Sequence, residues 1–487
     1  MKFYVTTPIY YVNAAPHLGH AYTTIAADVM ARHHRQRGEE VFFLTGTDEH
    51  GEPVADAAHA QGLEPQELAN RNSQRFRELA PKLDATNDFF IRTTDPQHVA
   101  KVQEVLATVR ENGFVYKGTY EGWYCPRCAD FKAESEIDEG NRCPIHHISL
   151  TRESEENYFF ALSAFQERLE ALYAEQQGFI APATRRNEAL SFIRSGLRDV
   201  PLTRKRLRWG VPVPWDEEHV FYVWFDALLN YYSALSYARE GVDLTAELWP
   251  ADCHLIAKDI LRFHAVYWPA LLMAAGLPLP RRVFVHGYLL MDGEKMSKSL
   301  GNVLDPFAVI ERFGSDALRF YLLRDVSFGQ DGSVSTAAFE LRYESELANE
   351  YGNLASRVIA MVHRYRDGIA PEVELDAGLM GDFDGLAERV AALIDEVELT
   401  QALEEIWQRV RRLNRYVEER APWQLAKDEA AAGELDRVLG SLLIGLRRVS
   451  VLLNPYLPVA TTKLAAALDV EQGAPIGRLE PLFPKAE

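Results

Sequence analysis

Residues 3–45, FYVTTPIYYVNAAPHLGHAYTTIAADVMARHHRQRGEEVFFLT, decide the fold. The run Phe3 to Thr7 has the β-branched and aromatic content of a strand, and Val41 to Thr45 is a second apolar strand. Between them a glycine-bearing turn leads into a helix predicted over about Leu18 to Arg37, with Gly38 as its stop. Strand, helix, strand is the order of a βαβ unit, which implies a parallel sheet. Further on, Cys253 to Ala257 reads as a buried strand entering a helix with apolar Ile260, Leu261, Val266 and Leu271, and Val283 to Leu290 reads as another strand.

Two α/β halves of a Rossmann-like sheet therefore flank something else. Between about Tyr116 and Val220 the βα rhythm gives way to cysteines, charged turns and the proline-rich WGVPVPW segment, which reads as an inserted domain. From about Tyr343 the pattern turns helical. Leu347, Tyr351, Leu354, Val358 and Met361 form one apolar stripe and Leu403, Ile406, Val410, Leu413 and Val417 another, both at bundle spacing. The small residues from Ala430 to Gly433 read as a loop.

The chain has 487 residues, too many for one ordinary core, with 47% hydrophobic and 25% charged residues, a balance that excludes wholesale disorder. The N-terminus reads as a strand with no signal core, and Pro269 and Pro278 break the apolar stretch Ala265 to Leu279, so neither secretion nor a membrane span is expected. Four cysteines, three of them within Cys125 to Cys143, suit metal binding in a reducing cytoplasm better than a disulfide framework. A net charge of −19 argues against a nucleic-acid partner, yet basic residues cluster at Arg185 and Arg186, at Arg204, Lys205, Arg206 and Arg208, and at Arg409, Arg411, Arg412 and Arg415. A polyanion could lie on such strips; solvated helix faces are the alternative reading.

Three motifs carry chemistry. His17-Leu18-Gly19-His20 falls where the first strand meets its helix, the end of a parallel sheet at which phosphates bind. Gly19 leaves room for a flat base, and His17 and His20 can donate to phosphate oxygens; a helix cap with two surface histidines is the plainer reading. Lys295-Met296-Ser297-Lys298-Ser299 lies on a polar turn able to close over a triphosphate, where Lys295 and Lys298 would neutralise a leaving pyrophosphate. Cys125-Pro126-Arg127-Cys128 and Cys143-Pro144-Ile145-His146 are two knuckles with the ligand spacing of a closed, structural zinc site, with His147 as an alternative to His146 and a redox pair at Cys125 and Cys128 as the rival reading. Cys253 stands apart on an apolar strand and reads as a buried small hydrophobe.

The first two motifs look like the two signatures of class I aminoacyl-tRNA synthetases. Segments spanning nearly the whole chain resemble the methionyl-tRNA synthetases: TTPIYYVNAAPHLGH, TGTDEHG, YVWFDALLNYY, KDILRFHAVYWP, HGYLLMDGEKMSKSLGN and NRYVEERAPW. The resemblance implies a methionine pocket of Ile9, Tyr11, Asp48, Trp224, Tyr231 and His264, and an ATP site of His17, Gly19, His20, Asp259, Lys295, Ser297 and Lys298. It further implies that Asn349, Asn353 and Arg357, four apart on one helix, read the CAU anticodon of methionine tRNA together with Pro422 and Trp423. The fold class expected is thus α/β, a Rossmann-like catalytic domain with a zinc-knuckle insertion and a C-terminal α-helical bundle. The boundaries are 1–115 and 221–292 for the catalytic halves, 116–220 for the insertion, 293–342 for the lysine loop and link, and 343–487 for the anticodon bundle. ATP and methionine would bind where the halves meet, His17, His20, Lys295 and Lys298 would stabilise charge, and magnesium would arrive with ATP. Both initiator and elongator tRNA would be charged by a cytoplasmic enzyme with one zinc per chain, a monomer because the sequence stops just after the bundle.

Overall fold

The structure, a computed structural model, describes residues 2–126, 130–132, 134, 137–145, 147–291, 294–295, 305–468 and 475–484. Contacts divide the chain into two compact units: Met1–Pro16, Glu39–Ala80 and Asn87–His286 form the first, and His17–Gly38, Pro81–Thr86 and Gly287–Glu487 the second.

The first unit is built on six parallel strands in the order β3 (Phe89–Arg92), β2 (Glu40–Asp48), β1 (Lys2–Tyr11), Cys253–Ala257, Val283–His286 and Ile180–Ala181. β1 is flanked on both sides, with Val5 opposite Phe43 and opposite Cys253, which is why its residues from Phe3 to Thr7 are buried without alternation. The chain winds one way from β1 through β2 and β3 and the other way from Cys253, so a crevice opens beyond the carboxyl ends of these strands. Pro8 cannot donate to a ladder, and the β1–β2 register shifts between Thr6 and Ile9 to accommodate it. Beyond the shift Tyr10 stacks on Phe76 at 5.5 Å in one apolar cluster, while Ile9 and Tyr11 pack against the other.

Within 116–220, a long antiparallel pairing of Val115–Cys125 with Thr151–Phe160, edged by Asp130–Lys132 and Val200–Pro201, makes a four-stranded sheet. Ile180–Ala181 instead joins the parallel sheet beside Val283–His286, a return that no pattern in its sequence announces. The strand predicted over Val283 to Leu290 is two: Val283–His286 in the parallel sheet, and Leu289–Met291 between Glu294–Lys295 and Gly332–Val334 in a three-stranded one. Gly287 marks the break, since a Cβ there would lie 2.3 Å from the Gln330 carbonyl carbon.

The helix α1 (Leu18–Gln36) groups with the second unit. Its Asp28 meets Arg319 of the helix Ser315–Asp325, and Tyr22 meets Phe328, contacts that a local βαβ reading cannot foresee. Both predicted stripes are buried throughout. Two details differ from expectation. Tyr343–Gly352 is wound as a π-helix before the α-helix Asn353–Arg366, so the α-helical spacing of four does not run from Asn349. Ala432 and Gly433 already belong to the helix Ala432–Leu453. Among the described residues no helix is long and apolar enough to cross a membrane.

Candidate active site

At the carboxyl end of β2 three consecutive polar residues are buried, and they meet three different fates. Glu49 is saturated: Arg92 donates to both its oxygens at 2.7 and 2.8 Å, Thr47 Oγ1 donates at 2.7 Å and Thr94 Oγ1 at 2.5 Å. His50 lies 2.7 Å through Nδ1 from Asp226, whose other oxygen is 2.7 Å from His98 Nε2. A carboxylate only accepts, so both imidazoles donate to it, and His98 Nδ1 shares a 2.7 Å hydrogen bond with Ser233 Oγ. Burial pushes the Asp226 carboxyl up, but the His50 and His98 rings outweigh it and hold it below its ordinary value.

Asp48 is the exception. It is 2% exposed, and its Oδ1 has no hydrogen-bond partner. Burial raises its carboxyl well above the ordinary range, and the charges of Asp226 and Glu49 raise it further. A buried carboxyl with an unpaired oxygen beside two other acids can accept from a cationic donor.

The apolar side of the same region is aromatic. Trp224 is held flat on Phe263 at 3.6 Å and meets the edge of Tyr11 at 6.2 Å. Tyr231 is fully buried and lies 2.7 Å from His264 Nε2, while His264 Nδ1 is 3.1 Å from the Ile260 carbonyl. That carbonyl can only accept, so Nδ1 carries the proton and Tyr231 donates to Nε2. Burial lowers His264 to about 4, which keeps this tautomer neutral at physiological pH. Ile9, Tyr11, Trp224 and Tyr231 belong to or pack against one large apolar cluster, within which Tyr11 meets Trp224 and Tyr231 is bonded to His264. Such a wall suits a flexible, polarizable side chain, and Asp48 suits an ammonium.

Asp259 lies on the exposed turn Lys258–Ile260 that ends the strand Cys253–Ala257. His17 is the N-cap of α1: its Nδ1 accepts from Gly19 N at 3.1 Å, its own N–H donates to His20 Nδ1 at 3.0 Å, and the rings stack at 3.7 Å. A Cβ on Gly19 would lie 3.0 Å from the His17 ring, so this glycine also makes room for the histidine pair. Lys295 is described only as a backbone partner of Leu290, and Ser297 and Lys298 lie outside the described residues.

In the second unit Asn349 and Asn353 are exposed, Arg357 is half-buried with Nη1 donating to Glu418 at 2.9 Å, Pro422 is buried, and Trp423 is 36% exposed. In the first unit Cys125 and Cys143 are both buried in one small cluster with Leu150, while Cys128 and His146 lie outside the described residues. The side chain of His147 is 74% exposed and turned to Asp138. Among the described residues no group of three or more potential ligands is assembled. Cys253 is buried, and burial pushes its thiol up to about 12, so it is an inert core thiol.

A family model described as tRNA synthetases class I (M) matches residues 3–155 and 142–359. The Methionine–tRNA ligase of Caldanaerobacter subterraneus is 44% identical, covering 100% of this chain and 79% of its own. That of Streptomyces coelicolor is 46% identical, covering 96% and 90%. This chain belongs to the methionyl-tRNA synthetases. The crystal structure of the Mycobacterium tuberculosis methionyl-tRNA synthetase bound by methionyl-adenylate superposes with a TM-score of 0.96 at 41% identity, covering 99% of this chain and 100% of that one. The apo form of the same synthetase gives 0.89 at 38%, covering 100% and 98%.

Within this synthetase fold the predicted pocket residues lean on neighbours outside the predicted set. Phe263 under Trp224, and the His50, Asp226, His98 and Ser233 chain, were not singled out. Three of these residues stand inside quoted segments, TGTDEHG, YVWFDALLNYY and KDILRFHAVYWP, so the signal was present as unassigned polar and aromatic positions.

Proposed function

We propose that this chain activates methionine with ATP and transfers it to the terminal adenosine of methionine tRNA, with Asp48 as the anchor of the substrate ammonium. The bare, buried Oδ1 of Asp48 carries this reading, because an ammonium supplies the charge and the hydrogen bond that the oxygen lacks. Trp224, Tyr231, His264, Ile9 and Tyr11 surround the thioether, and the Tyr231 to His264 bond fixes the pocket floor. The methionine carboxylate oxygen forms a bond to the α-phosphorus of ATP as the bond to pyrophosphate breaks. No side chain acts as nucleophile. His17 and His20 donate to phosphate oxygens, Asp259 contacts the adenylate, and Gly19, Ser297, Lys295 and Lys298 line the triphosphate, with the lysines taking up charge on the leaving group. A ribose hydroxyl of the tRNA then bonds to the adenylate carbonyl carbon, the bond to the phosphate oxygen breaks, and the hydroxyl proton leaves with AMP.

Asn349, Asn353 and Arg357, with Trp423 on Pro422, read the CAU anticodon in initiator and elongator tRNA alike; exposed amides and an exposed indole are groups that unpaired bases can pair with and stack on. Zinc fits Cys125, Cys128, Cys143 and His146: two buried thiols in one cluster suit a structural ion, and the outward His147 favours His146. Metal analysis should return about one zinc per chain, and active, metal-free protein would refute that assignment. Magnesium accompanies ATP. Amino-acid-dependent ATP–pyrophosphate exchange across the common amino acids tests the whole reading: exchange with methionine alone supports it, and exchange with another amino acid or none overturns it.

A further inference from the structure

Three segments that carry predicted pocket residues are tied to one another through polar side chains that the activation step does not use. Asp48 is followed two residues later by His50, Trp224 by Asp226 and Tyr231 by Ser233. Trp224 and Asp226 lie on the helix Val223–Ala227, and Tyr231 and Ser233 on the helix Asn230–Ser233. Positions two apart on a helix stand about 200° apart round its axis, so Asp226 and Ser233 leave their helices on the side away from Trp224 and Tyr231. His98, on the helix Pro96–Glu111, stands where these side chains meet. Its Nε2 is 2.7 Å from one Asp226 oxygen while His50 Nδ1 is 2.7 Å from the other, and its Nδ1 is 2.7 Å from Ser233 Oγ.

All four side chains are buried, and His98, Asp226 and Ser233 completely so. A buried ionic chain is often no more stabilising than apolar packing of the same volume. What it adds is geometry. The apolar side chains of the surrounding cluster tolerate small slides past one another, whereas hydrogen bonds fix both distance and direction, and a satisfied buried network selects one arrangement. Each end of this chain is anchored two residues from a pocket side chain, so the arrangement it selects is the spacing of Asp48, Trp224 and Tyr231. His98 is the one member that comes from outside those three segments.

We propose that His98 is a positioning residue for amino-acid binding: by holding Asp226 and Ser233 at once, it keeps the ammonium anchor and the two aromatic walls at the spacing methionine needs. Fully buried, it touches no substrate atom and acts only through its two partners. The proposal rests on the methionine pocket proposed above and adds what holds that pocket in register.

The test compares His98→Leu with His98→Gln in the full chain. Leucine removes both hydrogen bonds, whereas glutamine offers an amide N–H to Asp226 and a carbonyl oxygen to Ser233. In ATP–pyrophosphate exchange, His98→Leu should raise KM for methionine by about tenfold or more and leave KM for ATP unchanged; His98→Gln should recover most of the loss. A methionine KM that stays put in His98→Leu, a KM for ATP that climbs with it, or no recovery in His98→Gln would overturn the positioning role. NMR of ring-nitrogen-labelled histidines gives a second readout that holds even where His98→Leu fails to fold. The two ring N–H groups that face Asp226 are buried and should give slowly exchanging signals, one of them lost in His98→Gln, and saturating methionine should shift both. Signals indifferent to methionine would contradict the proposal. Any of these contrary results beside methionine-dependent exchange in the wild type would leave the synthetase reading intact, and a wild type without such exchange would overturn that reading and this proposal together.

Discussion

Two buried aspartates, one in each unit, do opposite things with the same side chain. Asp28, in the second unit, is surrounded: Thr86 N and Oγ1 each donate to Oδ1 at 2.7 Å, and Arg32 and Arg319 reach Oδ2 at 2.8 Å. Burial would raise its carboxyl, but the Arg319 and Arg32 charges win and hold it below its ordinary value. Arg319 is fully buried too and donates further to the carbonyls of Leu83, Pro455 and Tyr456. Asp48, in the first unit, is as buried and has an empty oxygen and two acidic neighbours. A saturated buried charge holds structure together; an unsaturated one is kept at a cost in stability and marks where a ligand completes the set.

The contrast breaks most visibly at Asp28. Asp28→Ala leaves Arg319 charged and buried, and should cost about 3–5 kcal/mol in urea unfolding; a loss under 1 kcal/mol would make the cluster ornamental. Asp48→Asn should do the reverse. Methionine-dependent exchange should fall by about a hundredfold or more in kcat/KM, as when one partner of a buried charge pair is lost, while Tm holds or rises because an uncompensated charge has been removed.

Tyr231→Phe sharpens the comparison inside the pocket. It strips the donor from His264 Nε2 and leaves that buried nitrogen unpaired, so KM for methionine should rise by about tenfold, an effect of 1–3 kcal/mol. An unchanged KM would show that the tautomer is set by the Ile260 carbonyl alone.

The pH dependence should be smaller and one-sided. The Asp48 carboxyl is raised, and an ammonium binds only its ionised form, so protons compete with methionine as pH falls through that raised value. Methionine affinity should drop by up to about tenfold per pH unit on this limb. His264 stays neutral down to about 4 and adds nothing above that. Asp48→Asn should flatten the limb; an acid limb that survives in the variant would assign it elsewhere.

The sequence offered a candidate pocket because its residues sit in short segments with recognisable chemistry, and it made the bundle legible because its stripes keep one period. It could not convey that Asp48 is bare. That fact depends on Arg92 and Thr94 having taken Glu49, and on His98 sharing Asp226 with His50, partners brought together only by the sheet. Nor could it convey the π winding through Asn349, where apolar spacing reads like an ordinary helix, or the return of Ile180–Ala181 to the parallel sheet, two residues too few to carry a pattern.

The most direct test is calorimetric titration of wild type and Asp48→Asn with methionine and with its deaminated analogue, which keeps the thioether and carboxylate and lacks the amine. If the empty Asp48 oxygen is the ammonium anchor, the wild type should prefer methionine by about a hundredfold or more and the variant should bind both alike. A variant that keeps the full preference for methionine would contradict that role and send the ammonium to another group.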